Sequence, residues 1–159
     1  MHERGAPSLV CRVGTLLCVL PLEHVEETMR PLTVEPLAGV PAFVQGLAVV
    51  RGVAIPVVNA GSLLIGTASH PARFVTVKTG RRRVALAVDA VVGIREIPLG
   101  SLDELPPLLQ IASLDAISAI GALDAELLLV LRSTRLLPEE VWATIQAGTV
   151  LNDPDARFR

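Results

Sequence analysis

Val49-Val50-Arg51-Gly52-Val53-Ala54-Ile55-Pro56-Val57-Val58 is two apolar runs broken by one arginine and one glycine. Short β-branched runs meeting at a glycine read as two strands joined by a tight turn, because glycine accepts backbone angles that other residues resist. Ala48 to Val50, and further on Leu127 to Leu131, are continuously apolar rather than alternating, so both faces of their strands should be covered. Pro56 lacks the N–H of a ladder donor, which predicts an edge strand or a bulge at that point. Arg51 stands between a wholly apolar strand and a glycine. Its guanidinium either pairs with a carboxylate or points outward to meet a partner.

The same grammar repeats along the chain. Ser8 to Val13 and Thr15 to Leu20 flank Gly14, and Phe74 to Lys78 and Val84 to Asp89 flank Thr79-Gly80. Val91 to Ile97 continues the series, and Ile117 to Leu123 meets Glu126 to Leu131 at Asp124-Ala125. About ten strands are expected. One helix is predicted after Pro138, with Glu139 and Glu140 in its first turn and Gly148 as its stop. Val141, Trp142 and Ile145 share one face of it, and that face should dock on the sheets. A shorter helical turn is expected around Val40 to Val44. The sum is an all-β domain with a C-terminal helix over residues 8–147, between a flexible terminus at 1–7 and a flexible tail at 148–159.

Composition narrows the function. The chain has 159 residues, 51% of them apolar and 19% charged. It therefore has the core of one ordinary domain and lies far from the disordered regime. The longest uncharged run, between Arg51 and Arg73, contains Pro56, Asn59, Ser62, His70 and Pro71, which argues against a continuous lipid-exposed helix. The first residues lack the basic-then-apolar order of a secretory signal, so the expected location is cytoplasmic. A net charge of −2 and four aromatic residues (Phe43, Phe74, Phe158 and Trp142) speak against nucleic acid as a partner.

Candidate chemistry is sparse. Cys11 and Cys18, the only cysteines, sit in apolar runs and read as buried free thiols. His24 lies among Glu23, Glu26 and Glu27, a cluster that reads as a solvated surface rather than a metal site. No Gly-x-Ser-x-Gly elbow or phosphate-binding glycine loop occurs. Arg81-Arg82-Arg83 follows a turn and reads as a solvated hairpin, or as a patch for an acidic protein. Asp89 ends an apolar strand. It is either exposed or paired with Arg51, Arg83 or Arg95, the ion pair being favoured. An enzyme or small-molecule barrel would require His24, Glu26 and Cys18 to share one pocket.

Four pieces in order resemble the CheW-like domain family, the coupling proteins of bacterial chemotaxis. The family's Asn-Leu-Arg-Gly, apolar strand, Pro-Val-Val-Asp-Leu pattern is matched by Val49 to Ala60. Val40 to Gly46 resembles the turn before it, Val84 to Val91 the Val-Asp-x-Val segment, and Ile120-Gly121 with Leu127 to Leu137 the closing strands. The resemblance implies two packed five-stranded SH3-like β-barrels, no catalysis and no cofactor. It implies two partners: the cytoplasmic tip of methyl-accepting chemotaxis receptors and the regulatory domain of a CheA-type histidine kinase. The pathway would serve chemotaxis or another kinase-controlled output such as twitching motility. By match of position Val34, Gly46, Arg51 and Gly52, with Asn59 and Asp89, are the residues expected at partner surfaces. Two departures from the pattern stand out: Val49 replaces a polar residue, and Asn59 stands where an aspartate is usual.

Overall fold

The computed structural model of the chain describes residues 5–67, 70–97 and 115–152. Ten strands are present among them: β1 (Pro7–Val13), β2 (Leu16–Pro21), β3 (Val25–Met29), β4 (Val44–Val50), β5 (Val53–Asn59), β6 (Arg73–Thr79), β7 (Arg82–Val88), β8 (Ala90–Glu96), β9 (Ile117–Leu123) and β10 (Glu126–Leu131). Two helices accompany them, α1 (Ala60–Ile65) and α2 (Glu139–Asn152). The strands form two five-stranded sheets, ordered β8-β1-β2-β10-β9 and β3-β6-β7-β5-β4.

The two sheets share one plan. In the first, the β1–β2 hairpin joins the β9–β10 hairpin through the parallel pair β2–β10, and β8 flanks β1. In the second, the β6–β7 hairpin joins the β4–β5 hairpin through the parallel pair β7–β5, and β3 flanks β6. Neither sheet closes on itself through a ladder among the described residues. β8 and β9 are the outer strands of one sheet, and β3 and β4 those of the other.

The continuously apolar strands are explained by three separate cores. In β7, Ala85 and Ala87 pack with Ile55, Val57 and Phe74 inside the second sheet. In β2, Leu17 and Val19 pack with Val10 and Leu128 inside the first. The alternate residues of the same strands, Val84, Leu86 and Val88 with Cys18 and Leu20, belong to a third cluster that draws on both sheets and is the layer between them. Each inner strand thus presents one face to its own sheet's core and the other to the opposing sheet. Val141, Trp142 and Ile145 of α2 are buried in that shared layer, as the helical face predicted.

Three expectations are corrected. Pro56 is not on an edge: β5 lies between β4 and β7. Counting from Val50–Val53, which closes a two-residue turn, hydrogen-bonded and non-bonded pairs alternate, so Leu47–Pro56 falls on a non-bonded pair. On its other side the ladder to β7 starts one residue later, at Val57. The missing donor therefore leaves both ladders intact. Gly148 does not stop α2, which continues to Asn152. The run Ala48 to Val50 is not covered on both faces, because it lies on the outer strand β4, where Val49 is 65% exposed. The turn expected around Val40 to Val44 is present as a single turn, in which the Val44 N–H donates to the Pro41 carbonyl at 3.0 Å. Of the flexible ends expected at 1–7 and 148–159, residues 1–4 and 153–159 lie outside the described residues.

Candidate partner-binding site

Arg51 occupies the first position of the β4–β5 turn with φ 50°, and Gly52 follows with φ 80°. Positive φ at both central residues is the type I′ turn, whose twist matches that of the strands it joins. A Cβ on Gly52 would meet open space, so the residue is there for its backbone alone. The turn lifts Arg51 out of the sheet, leaving its side chain 79% exposed.

One carboxylate orients the guanidinium. Arg51 Nε and Nη2 donate to Glu27 Oε1 and Oε2, each at 2.8 Å, a bidentate pair across the seam between the outer strands β3 and β4. Hydrogen bonding from Arg51 holds the Glu27 carboxyl below its usual range, against the opposing effect of partial burial. Glu27 is itself fixed by a bulge in β3, between Val25 and Glu27. There the Thr76 hydroxyl accepts from the Glu27 N–H at 3.1 Å and donates to the Glu27 carbonyl at 3.2 Å. Glu26 next to it pairs with Arg83 at 2.9 Å. Together Glu26, Glu27, Arg51, Thr76 and Arg83, floored by Val50 and Ile55, line a cleft of about 210 Å³.

The other expected residues divide between surface and scaffold. Val34 is half-buried against the core of the second sheet. Gly46 sits in the bulge of β4 with φ 143°. The segment carrying Glu35 crosses it at close range, bonded to Leu47 at 2.8 and 2.9 Å, and a Cβ on Gly46 would lie 1.9 Å from the Glu35 carbonyl oxygen. Asn59 is 2% exposed, and its side-chain oxygen accepts from the Ser62 N–H at 3.0 Å as the N-cap of α1. The asparagine that replaces the pattern's aspartate keeps this acceptor, so the cap survives the loss of charge. Asp89 is not in an ion pair with Arg51, Arg83 or Arg95. It joins the two sheets at the β7–β8 step and accepts the Gly14 N–H at 2.7 Å.

The features that suggested other chemistry do not converge. The cleft that contains Glu26 holds neither His24 nor Cys18. His24 Nδ1 lies 3.2 Å from the Ser133 hydroxyl, and Glu23 is the carboxylate near its other nitrogen, at 3.8 Å. Cys11 and Cys18 face each other across β1 and β2 as free, fully buried thiols. Hydrogen bonding to Cys11 and burial push the Cys18 thiol well above its ordinary range, which makes it a poor nucleophile. No group of three or more metal-ligating side chains occurs among the described residues. Of the basic run, Arg82 pairs with Glu139 at 2.6 Å and stacks 4.8 Å from the Trp142 ring centroid, while Arg83 binds Glu26. Arg81 is the exposed member.

Sequence reading missed β3, and with it the partner of Arg51. The segment Val25–Met29 does alternate half-buried and exposed residues, a period of two that marks a strand. Its adjacent glutamates made it resemble a solvated loop.

Comparison with known proteins agrees with this arrangement. Protein FrzA of Myxococcus xanthus is 36% identical over 102 residues, covering 60% of this chain and 61% of that protein. The match thus spans somewhat under two thirds of the relative's length. The crystal structure of scaffolding protein TtCheW from Thermoanaerobacter tengcongensis superposes with a TM-score of 0.68 at 21% identity, covering 83% of this chain and 90% of that one. No described helix is long and apolar enough to cross a membrane. Residues 7–141, nearly all of the two-sheet body, match the CheW-like domain model, and the chain belongs to the CheW-like domain family.

Proposed function

We propose that the chain is a non-catalytic adaptor that joins the cytoplasmic tip of methyl-accepting chemotaxis receptors to the regulatory domain of a CheA-type histidine kinase. The observation that carries this reading is the CheW-like domain match over residues 7–141. The relative whose fold it shares is a scaffolding protein. The described surface suits contact rather than catalysis: an exposed arginine pre-oriented by a bidentate carboxylate, with exposed Val49 and Val53 beside it. An arginine held in one rotamer loses less entropy when a partner engages it, and the apolar neighbours supply area to bury.

Biolayer interferometry against the receptor tip and the kinase regulatory domain of the same organism tests the proposal. The wild type should bind both, and Arg51→Glu should bind about tenfold more weakly or worse with an unchanged melting temperature. Equal binding by the variant would remove Arg51 from the contact. Failure of the wild type to bind either partner would remove the adaptor reading itself.

A further inference from the structure

Cys11 and Cys18 stand directly opposite each other where β1 pairs with β2. Val13–Leu16 closes the two-residue turn Gly14-Thr15 as a hydrogen-bonded pair, so two steps further on Cys11–Cys18 is a hydrogen-bonded pair as well. Partners of this kind have Cα atoms about 5.5 Å apart, inside the span that a disulfide bridges. Their side chains leave the sheet on the same face. Both are free thiols, fully buried in the core layer that the two sheets share. The sulfurs are near enough for Cys18 to hydrogen-bond to Cys11, and the chain has no other cysteine to compete for either.

We propose that this pair is a reversible redox site, at which hydrogen peroxide joins Cys11 and Cys18 in a disulfide and a thiol reductant reopens it. The chemistry balances in two steps. One sulfur gives its proton to water and attacks a peroxide oxygen; the O–O bond breaks, and the departing hydroxide takes up a proton to become the first water. The second sulfur then attacks the sulfenic acid so formed; its S–O bond breaks, and the leaving hydroxide takes the second thiol's proton to become the second water. In all, the thiols lose two electrons and two protons, and the peroxide gains both.

Burial sets the pace of this reaction. Hydrogen bonding to Cys11, burial and neighbouring negative charge, that of Asp89 included, push the Cys18 thiol up. Little thiolate is therefore present, and oxidation is slow. Fully buried sulfurs also favour a small peroxide over a bulky oxidant.

Register makes the bond reversible. Facing Cβ atoms on neighbouring strands lie about 4.5–5.5 Å apart, and a disulfide draws them to about 3.8 Å. Closing that gap pulls β1 and β2 together beside the Gly14 turn, whose N–H is already held by Asp89 at 2.7 Å. A disulfide formed against such a restraint is strained, and strained disulfides yield to mild reductants.

Mass spectrometry of the reduced, folded, full-length chain tests this. Trypsin cuts after Arg12, so the two cysteines fall in separate peptides that only a disulfide can hold together. The folded chain is exposed to peroxide, the peroxide is removed with catalase, and remaining thiols are blocked with N-ethylmaleimide in urea. The two peptides should then appear joined, from a protein that still runs as a single chain on a non-reducing gel. Reduced glutathione, added to the oxidised folded chain before blocking, should separate them again. Thiols that stay free under peroxide, thiols that become sulfinic acids without joining, a link formed only between chains, or a link that glutathione leaves closed overturns the proposal.

Discussion

Asp89 ties the step between the two sheets to the tip of the first hairpin: its Oδ2 accepts the Gly14 N–H at 2.7 Å, while its own N–H donates to the Arg12 carbonyl at 3.0 Å. One residue thus anchors the point where the chain leaves β7 of one sheet and enters β8 of the other. Its second oxygen, Oδ1, is buried with no hydrogen-bond partner among the described residues. Removing the acceptor deletes this hydrogen bond and leaves the N–H of exposed Gly14 to water, whereas an amide keeps the acceptor and discards the charge. Asp89→Ala should therefore lower stability by about 0.5–1.5 kcal/mol, and Asp89→Asn by less. Urea denaturation of the two variants checks the ordering.

Gly46 and Gly52 lie close in sequence and should respond differently to alanine. At Gly46 the added Cβ would fall 1.9 Å from the Glu35 carbonyl oxygen, which accepts the Leu47 N–H while the Glu35 N–H donates to the Leu47 carbonyl, so the Glu35 backbone has little room to move. At Gly52 nothing lies within 4 Å, and the cost is confined to the backbone, about 1–2 kcal/mol for a residue forced to φ 80°. Gly46→Ala should thus unfold the region around the Glu35–Leu47 bridge, and Gly52→Ala should melt somewhat early with its fold intact. Amide hydrogen exchange separates the outcomes, since only Gly46→Ala should lose protection at Leu47.

These contrasts mark how far the residues alone could be read. Hairpins announced by a glycine or by Asp124-Ala125 were legible, because turn chemistry is local. Apolar runs such as Leu127 to Leu131 were legible as strands, but their double covering was overread: Leu128 and Leu131 are buried while Leu127 is 48% exposed, and on the outer strand β4 Val49 is 65% exposed between buried Ala48 and Val50. The partners of Arg51 and Asp89 were not legible. Glu27 is 24 residues from Arg51, Gly14 is 75 from Asp89, and register across a seam is a property of the assembled sheets. Pro56 was misread because the rule for proline concerns the side its nitrogen faces, which only the ladder reveals. The arginine itself was identified from its setting, while the carboxylate that aims it was hidden in a strand whose charges imitate a loop.

Trp142 gives the docking of α2 a stability test. It is buried in the layer between the sheets with Val141 and Ile145, and Arg82 covers its ring while pairing with Glu139. Trp142→Ala should destabilise by about 3–5 kcal/mol, the range for deleting a large aromatic side chain from a core. Trp142→Phe retains most of the apolar volume and should recover much of that loss. Thermal melts of both variants check the ratio, and a Trp142→Ala protein with the wild-type melting temperature would show that α2 does not dock.

Arg12 and Glu126 connect β1 to β10 across β2, with a bidentate pair at 2.7 and 3.2 Å. Hydrogen bonding from Arg12 holds the Glu126 carboxyl below its usual range, so the folded state binds a proton there less readily than the unfolded chain does. The sign of the linkage follows. A carboxyl depressed on folding contributes stability that is complete above its unfolded pKa, and that contribution is lost as pH falls through the lower folded value. Glu126→Gln should therefore melt below the wild type at neutral pH, and the gap should narrow as the pH drops beneath the ordinary glutamate range. Because the pair is half-exposed, added salt should also shrink the gap at neutral pH. Melting temperatures of both proteins over a pH series check this, and a gap that stayed constant into acid would mean that Glu126 acts through packing rather than through its charge.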